Sequence, residues 1–508
     1  LLYNLINILI NTINLGDMMN KILLIALVLG TLSTTNTLAA TDMATTISST
    51  SSTTIATEDK THQAESYGIQ SVTAVPKIYG DGEKVAAVII KYPEAIQESA
   101  LTLNTFTVKG KTINNIYTNS VPELKENYKS TAKGLHNGVP QIDTTVGQTN
   151  TVKASKKDKN SKATAADQYV VVEFEYENST PFVLAPRPNK PKNNGAVGVD
   201  APLRSDRKLP DLNVTVTQVQ PVVTKTGTIY VPSQTSVINT STASTIMDEF
   251  KTYIYTDPTT GNSIPYNVFL PKNYDASKQY PLYFFIADSS ANINDNRTVL
   301  FQGNGATVFA SPEEQAKHEA IIVAPQYTQD LVDTLGMMTT DKNEWTPGLT
   351  LVDNLLHHVI ATYPIDKNRI YGSGQSQGGM ANIAISDKHP DLFTAQFLVA
   401  CQWNTEEMKV LKDKKLWILV SEGDDKAYPG MNTATKNWAD LGTKIATSPM
   451  WDSHSTPEQF DALVKATVDQ KAPINYTVFK DGNHMYTWSV AYTIEGIRDW
   501  LFSQTKEK

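Results

Sequence analysis

From residue 67 onward, short apolar runs alternate with turn-forming polar stretches, and the character of the runs changes near residue 250. Before that point they are rich in valine, isoleucine and aromatic residues. Val85–Tyr92, Tyr169–Tyr176 and Val214–Val219 each predict a strand. Beyond residue 250, strand-like runs are interleaved with segments whose apolar positions recur at helical spacing. Strands are predicted at Phe250–Tyr255, Tyr266–Leu270, Pro281–Ile286, Asn368–Tyr371, Lys415–Val420 and Ile474–Phe479, with a turn at Asp257–Asn262. Helices are predicted at Leu349–Tyr363, at Gly379–Ser386 with a stop near His389-Pro390, and at Val490–Phe502. The pattern describes an all-β part followed by an α/β part.

The polar stretches divide the chain further. Residues 1–40 contain Met19-Asn20-Lys21, the apolar Ile22–Leu32 and the small residues Thr37-Leu-Ala-Ala40, in the order of an export signal. The apolar run is short for a membrane span, and translation is expected to start at Met18 or Met19. Residues 41–66 are Ser/Thr-rich and read as a linker. The β-rich part occupies 67–233 and carries two polar excursions, a Lys/Ser/Thr-rich one at 128–167 and a Pro/Asn/Lys-rich one at 185–208. Residues 234–249 read as a second linker, and 250–508 as the α/β domain.

The densest chemical signal is Gly374-Gln375-Ser376-Gln377-Gly378, between the strand ending at Tyr371 and the helix beginning at Gly379. Gly-x-Ser-x-Gly between a strand and a helix is the pattern of a nucleophile elbow, in which the serine sits on a sharp turn that only flanking glycines leave room for. A serine nucleophile needs a base, and the base an orienting carboxylate. In hydrolases built this way the chain order is Ser, acid, His. Three histidines follow Ser376. His389 ends the elbow helix, too near along the chain to fold back. His454 lies in a polar segment. His484 directly follows the strand Ile474–Phe479 and its short loop, at the end of a strand where an open α/β sheet places its site. The acid is expected in the loop after Lys415–Val420, where Asp424 and the neighbouring Asp425 are both well placed and spacing does not separate them.

An oxyanion needs backbone N–H donors. The residue after the nucleophile, Gln377, supplies one. The other is expected from the loop Ala287-Asp288-Ser289-Ser290 after Pro281–Ile286, through Asp288 or Ser289. Asp288 would bring a negative charge toward a site that must stabilise one. Gln375, Trp345, Trp403, Tyr486 and Trp488 are candidates for lining the substrate pocket.

These segments, with Asn294-Asp295-Asn296, Ile321–Gln326 and Asp391-Leu-Phe393, resemble the secreted esterases of the polyhydroxybutyrate-depolymerase and feruloyl-esterase-like branch of α/β-hydrolases. Ile69–Val75, Tyr79–Val85 and Leu103–Val108 resemble the amino-terminal immunoglobulin-like domain of two-domain esterases. The resemblance implies an α/β-hydrolase domain preceded by an all-β immunoglobulin-like domain that carries no triad residue. It implies esterase activity through Ser376, Asp424 or Asp425, and His484. It departs from the family at Ala287–Ser290, where many relatives carry His-Gly.

Composition narrows the alternatives. The net charge of −8 argues against a nucleic-acid partner. A triad needs no cofactor and no metal, and the adjacent His357 and His358 face different sides of their helix. The single cysteine, Cys401, cannot form an internal disulfide and reads as a small buried hydrophobe. The expected substrate is a small or polymer-linked ester, met outside the cell or at its surface. Association of the Lys-rich excursion with an anionic wall polymer is the weaker reading of that segment. The alternatives are a prolyl-oligopeptidase-like peptidase, against which the lack of propeller-like repeats speaks, and a secreted binding protein with an impaired site.

Overall fold

The computed structural model describes residues 68–125, 167–179, 210–233 and 235–506. The signal region, the first linker and both polar excursions (apart from Asp167) lie outside the described residues.

The amino-terminal part is a β-sandwich. Its strands are β1 (Ser71–Tyr79), β2 (Gly82–Lys91), β3 (Phe106–Val108), β4 (Ile113–Asn119), β5 (Tyr169–Phe174), β6 (Thr215–Gln218), β7 (Val222–Val223), β8 (Ile229–Tyr230), β9 (Val237–Ile238) and β10 (Ser241–Thr242). One sheet runs in the order β10-β1-β2-β5-β4 and another β3-β6-β9. Alternate residues of facing strands, among them Val72, Val88, Ile90, Phe106, Val170, Val172 and Val216, form the core between them. Residues 237–242, read from sequence as linker, instead add β9 beside β6 and β10 beside β1. Ile238, Ser241 and Thr242 are exposed, as suits edge strands, which present one side to water.

The carboxyl-terminal part is a nine-stranded sheet in the order β11-β12-β14-β13-β15-β16-β17-β19-β18. Its strands are β11 (Lys251–Thr256), β12 (Ser263–Phe269), β13 (Tyr280–Ile286), β14 (Ile321–Pro325), β15 (Ile365–Gln375), β16 (Ala395–Val399), β17 (Leu416–Gly423), β18 (Ile445–Thr447) and β19 (Ile474–Asn483). β12 is antiparallel to both β11 and β14, and the other pairs are parallel. The principal helices are α1 (Pro347–Thr362), α2 (Gln377–Lys388), α3 (Ala427–Asp440), α4 (Pro457–Val468), α5 (His484–Ala491) and α6 (Glu495–Ser503). The central strands are buried on both faces, β13, β14 and β16 completely, which is why they read as unbroken apolar runs. Two apolar clusters cover the two faces, one joining α5 and α6 to Phe285, Phe397 and Trp417, the other joining α1 and α2 to Phe284, Ile286 and Leu398.

Two further elements differ from expectation. β15 does not stop at Tyr371 but runs through Gly372-Ser373-Gly374, paired on one side to β13 and on the other to β16. Hydrogen bonding on both edges overrides the glycines' turn preference. The predicted helix Val490–Phe502 is two helices, with α5 starting at His484 and a break before α6.

The two parts share packing. Ile78, Tyr79, Ala86 and Tyr176 of the sandwich belong to the same apolar cluster as Phe250, Tyr486 and Trp488 of the α/β part. At the β1–β2 hairpin, a Cβ on Gly80 would lie 2.1 Å from the backbone oxygen of Ser489 in α5. Asn178 Nδ2 donates to Ser489 Oγ at 3.1 Å. Among the described residues no helix is long and apolar enough to cross a membrane.

Candidate active site

Ser376 caps α2 at the end of β15, with φ 50° and ψ −120°. A non-glycine residue at positive φ costs on the order of 1–3 kcal/mol and persists only where the surroundings impose it. Here the sheet on one side and the buried helix on the other impose it. A Cβ on Gly374 would lie 2.5 Å from the carbonyl carbon of Gly378, and one on Gly378 only 1.9 Å from the backbone oxygen of Ile286. The elbow closes only because both positions lack a side chain. The same closeness sets the end of β13 and the loop after it directly against the start of α2.

The turn points Ser376 Oγ at His484, with Oγ to Nε2 at 2.8 Å. His484 is the first residue of α5, and Asn483 caps that helix by accepting from the N–H groups of Met485 and Tyr486. An asparagine ahead of a helix is an N-cap signal readable in sequence. The edge of the imidazole meets Trp488 one turn on, ring centroids 5.1 Å apart at 90°. His484 Nδ1 lies 2.5 Å from Asp424 Oδ2, so with the carboxylate accepting, Nδ1 carries the proton and Nε2 faces the serine. Asp424 is buried, and its other oxygen accepts from the backbone N–H of Lys426 at 3.2 Å and Ala427 at 3.0 Å. Asp425, the alternative acid, is exposed and has no such contact with His484. His389 and His454 sit elsewhere, His389 beside Asp353 and His454 beside Asp452.

Gln377 occupies the first position of α2, where a backbone N–H has no partner within the helix. Asp288 and Ser289 lie in the loop pressed against that helix start. The carboxylate of Asp288 is buried and engaged: Oδ1 accepts from Ser290 N at 2.5 Å, and Oδ2 accepts from Gln302 Nε2 at 2.5 Å and Gln375 Nε2 at 2.9 Å. Three donors spread its charge, which answers the concern the sequence raised about a bare carboxylate there. No local pattern points to Gln302. The side-chain amide of Gln375, a pocket candidate, thus turns to Asp288.

The aromatic pocket candidates are not gathered around Ser376. Tyr486 is buried in the apolar cluster that joins the two parts, and Trp488 is buried against the imidazole. Trp345 and Trp403 line a surface depression with Asp387, Lys388 and Glu407 that includes no residue of the Ser376–His484–Asp424 chain. Trp345 Nε1 donates to Thr350 Oγ1, and Trp403 Nε1 to Glu407 Oε2. Aromatic composition was the signal in sequence, and it does not distinguish packing from binding.

In that depression both carboxylate oxygens of Asp387 are buried without a hydrogen-bond partner among the described residues. Burial, with Glu407 adding to it, pushes the Asp387 carboxyl up to about 8. A folded value above the unfolded one means that the native state holds the extra proton between about pH 4 and 8. Stability therefore falls as pH rises through that window. Asp387→Asn is expected to raise the melting temperature relative to wild type at pH 9 and to leave it unchanged near pH 3.5, as read by thermal unfolding at both pH values. Cys401 is buried, and burial, with Asp424 nearby, raises its thiol well above the ordinary range, so it is a packing residue beneath Gly379.

Comparison with known proteins agrees with this build. Residues 71–137 match the family model described as the esterase Ig-like N-terminal domain, and residues 353–507 match the prolyl oligopeptidase family. The two matches fall on the two parts of the fold, an immunoglobulin-like one ahead of an α/β-hydrolase one. The crystal structure of a thermostable esterase superposes with a TM-score of 0.60 at 22% identity, covering 86% of this chain and all (100%) of that one, so both parts of the fold have a counterpart there. A probable feruloyl esterase C of Aspergillus terreus is 28% identical over 134 residues, which is 26% of this chain and 45% of that protein. The match therefore spans less than half the length of this curated relative.

Proposed function

We propose that this protein is an exported carboxylic ester hydrolase acting through Ser376, His484 and Asp424. What carries the reading is one continuous line of hydrogen bonds, Ser376 Oγ to His484 Nε2 at 2.8 Å and His484 Nδ1 to Asp424 Oδ2 at 2.5 Å. In this mechanism His484 takes the Ser376 proton as Oγ attacks the ester carbonyl. The backbone N–H of Gln377 and one from Asp288 or Ser289 receive the oxyanion. Asp424 stabilises the imidazolium and keeps the ring in the tautomer that accepts from serine. His484 then protonates the departing alcohol, and water, deprotonated by the same ring, releases the acid. The feruloyl esterase relative favours an ester as substrate, and the signal-like segment at residues 19–40 favours export.

A second reading, a peptidase, is favoured by the match of residues 353–507 to the prolyl oligopeptidase family. The esterase-type immunoglobulin-like domain speaks for the ester instead. The purified chain is expected to turn over a short-chain nitrophenyl ester and to leave a prolyl nitroanilide peptide intact. The reverse preference would establish the peptidase reading. A folded protein inactive on every ester in a panel of short acyl, aromatic and polyester substrates would sink the hydrolase reading altogether.

A further inference from the structure

We propose that Asp353, His357 and His389 form a binding site for a divalent transition-metal ion of the zinc class, at the far end of α2 from the nucleophile. Asp353 and His357 lie one turn apart on α1, so their side chains share a face. His389 caps the carboxyl end of α2. His357 Nε2 lies 3.6 Å from Asp353 Oδ1, and His389 Nε2 lies 3.1 Å from Asp353 Oδ2. Ligand atoms at zinc-like bond lengths of about 2.0–2.1 Å around a tetrahedral ion are about 3.3 Å apart, and each histidine stands near that distance from one of the two carboxylate oxygens. All three ligand atoms lie within 4.8 Å of one another. The two rings meet edge to face, centroids 5.0 Å apart at 84°, leaving both Nε2 atoms on the carboxylate side. His358 takes no part, because it turns to the ring of Tyr255.

A second observation points to a ligand. Asp353 is 2% exposed, and its Oδ1 is buried without a hydrogen-bond partner among the described residues. A buried carboxylate oxygen left unsatisfied is costly, and a cation is the partner that would satisfy it. Two imidazoles and one carboxylate, with solvent in the fourth position, suit zinc, cobalt or nickel better than calcium or magnesium. The present counter-charge is Lys388, whose Nζ lies 3.2 Å from Asp353 Oδ2 and 4.1 Å from the centre of the Trp345 ring. Its side chain is 47% exposed and can swing into water as an ion enters. The comparable cluster of Glu314, His318 and Asp499 differs, because buried Arg498 already holds Glu314 through Nε at 2.7 Å.

The site would pin the end of the elbow helix to α1. It lies about 18 Å along that twelve-residue helix from Ser376, so it acts on stability and not on the chemistry. Untagged full-length protein, stripped with a chelator, is to be titrated with cobalt(II) and zinc(II). One equivalent of cobalt is expected to give the visible d–d bands of a four-coordinate site, and zinc to raise the melting temperature. His357→Ala and His389→Ala should each weaken zinc binding at least about tenfold, with nitrophenyl ester turnover retained as the check on folding. Lys388→Met should tighten binding, because it removes the competing cation, which a merely structural carboxylate cluster would not show. Absence of the cobalt bands at one equivalent, or bands and affinity unchanged in both histidine variants and in Lys388→Met, would overturn the proposal.

Discussion

Ser376→Ala is expected to lower kcat on any ester the wild type accepts by about 10⁶-fold, the scale on which a triad loses its nucleophile. That factor corresponds to about 8 kcal/mol of barrier. The loss should come with almost no change in folding, because the substitution removes only Oγ and its 2.8 Å hydrogen bond to His484. The strained φ of 50° is imposed by Gly374, Gly378 and the strands around them, none of which alanine disturbs. Steady-state turnover together with thermal unfolding of both proteins checks the result. Turnover within tenfold of wild type would mean that another group is the nucleophile.

Asp424→Asn and Asp425→Asn should separate by about four orders of magnitude. An amide at 424 keeps the size of the side chain, but the group facing His484 Nδ1 becomes neutral and can present a donor. The ring then favours the tautomer that cannot accept from serine, which costs about 10⁴ in kcat in a triad of this kind. Asp425 is exposed and outside the line, so its amide variant should stay within about twofold, as surface substitutions generally do. Parallel kcat measurements at one pH decide the matter. Equal losses at both positions would remove Asp424 from its proposed role.

What the sequence could reveal follows from how local each constraint is. The elbow is legible because its demands are local: a strand, two glycines at fixed offsets, a helix. The order of serine, acid and histidine is legible because each sits at the end of its own parallel strand. Asp424 and Asp425 are not separable by spacing. In the fold Asp424 Oδ2 meets His484 while Oδ1 accepts from the N–H of Ala427 at the start of α3. Gln302 was illegible because it reaches back 14 residues to Asp288 with no periodic signal to announce it. The placing of the aromatic candidates was illegible for the same reason, since the way a tryptophan faces is a property of the packed neighbours. Asp353 and His357 carry a readable four-residue spacing, but their partner His389 lies on another helix and joins them only in three dimensions.

The cluster that joins the hairpin of the sandwich to α5 has a consequence for assembly. The sandwich leaves the ribosome ahead of the α/β part, and amino-terminal parts ordinarily fold first. Ile78, Tyr79, Ala86 and Tyr176 must then wait in water until Phe250, Tyr486 and Trp488 are made. Covering that patch therefore waits on the helix whose first residue is His484. A chain caught before that step would hold a folded sandwich, an exposed apolar patch and a histidine not yet held beside its serine.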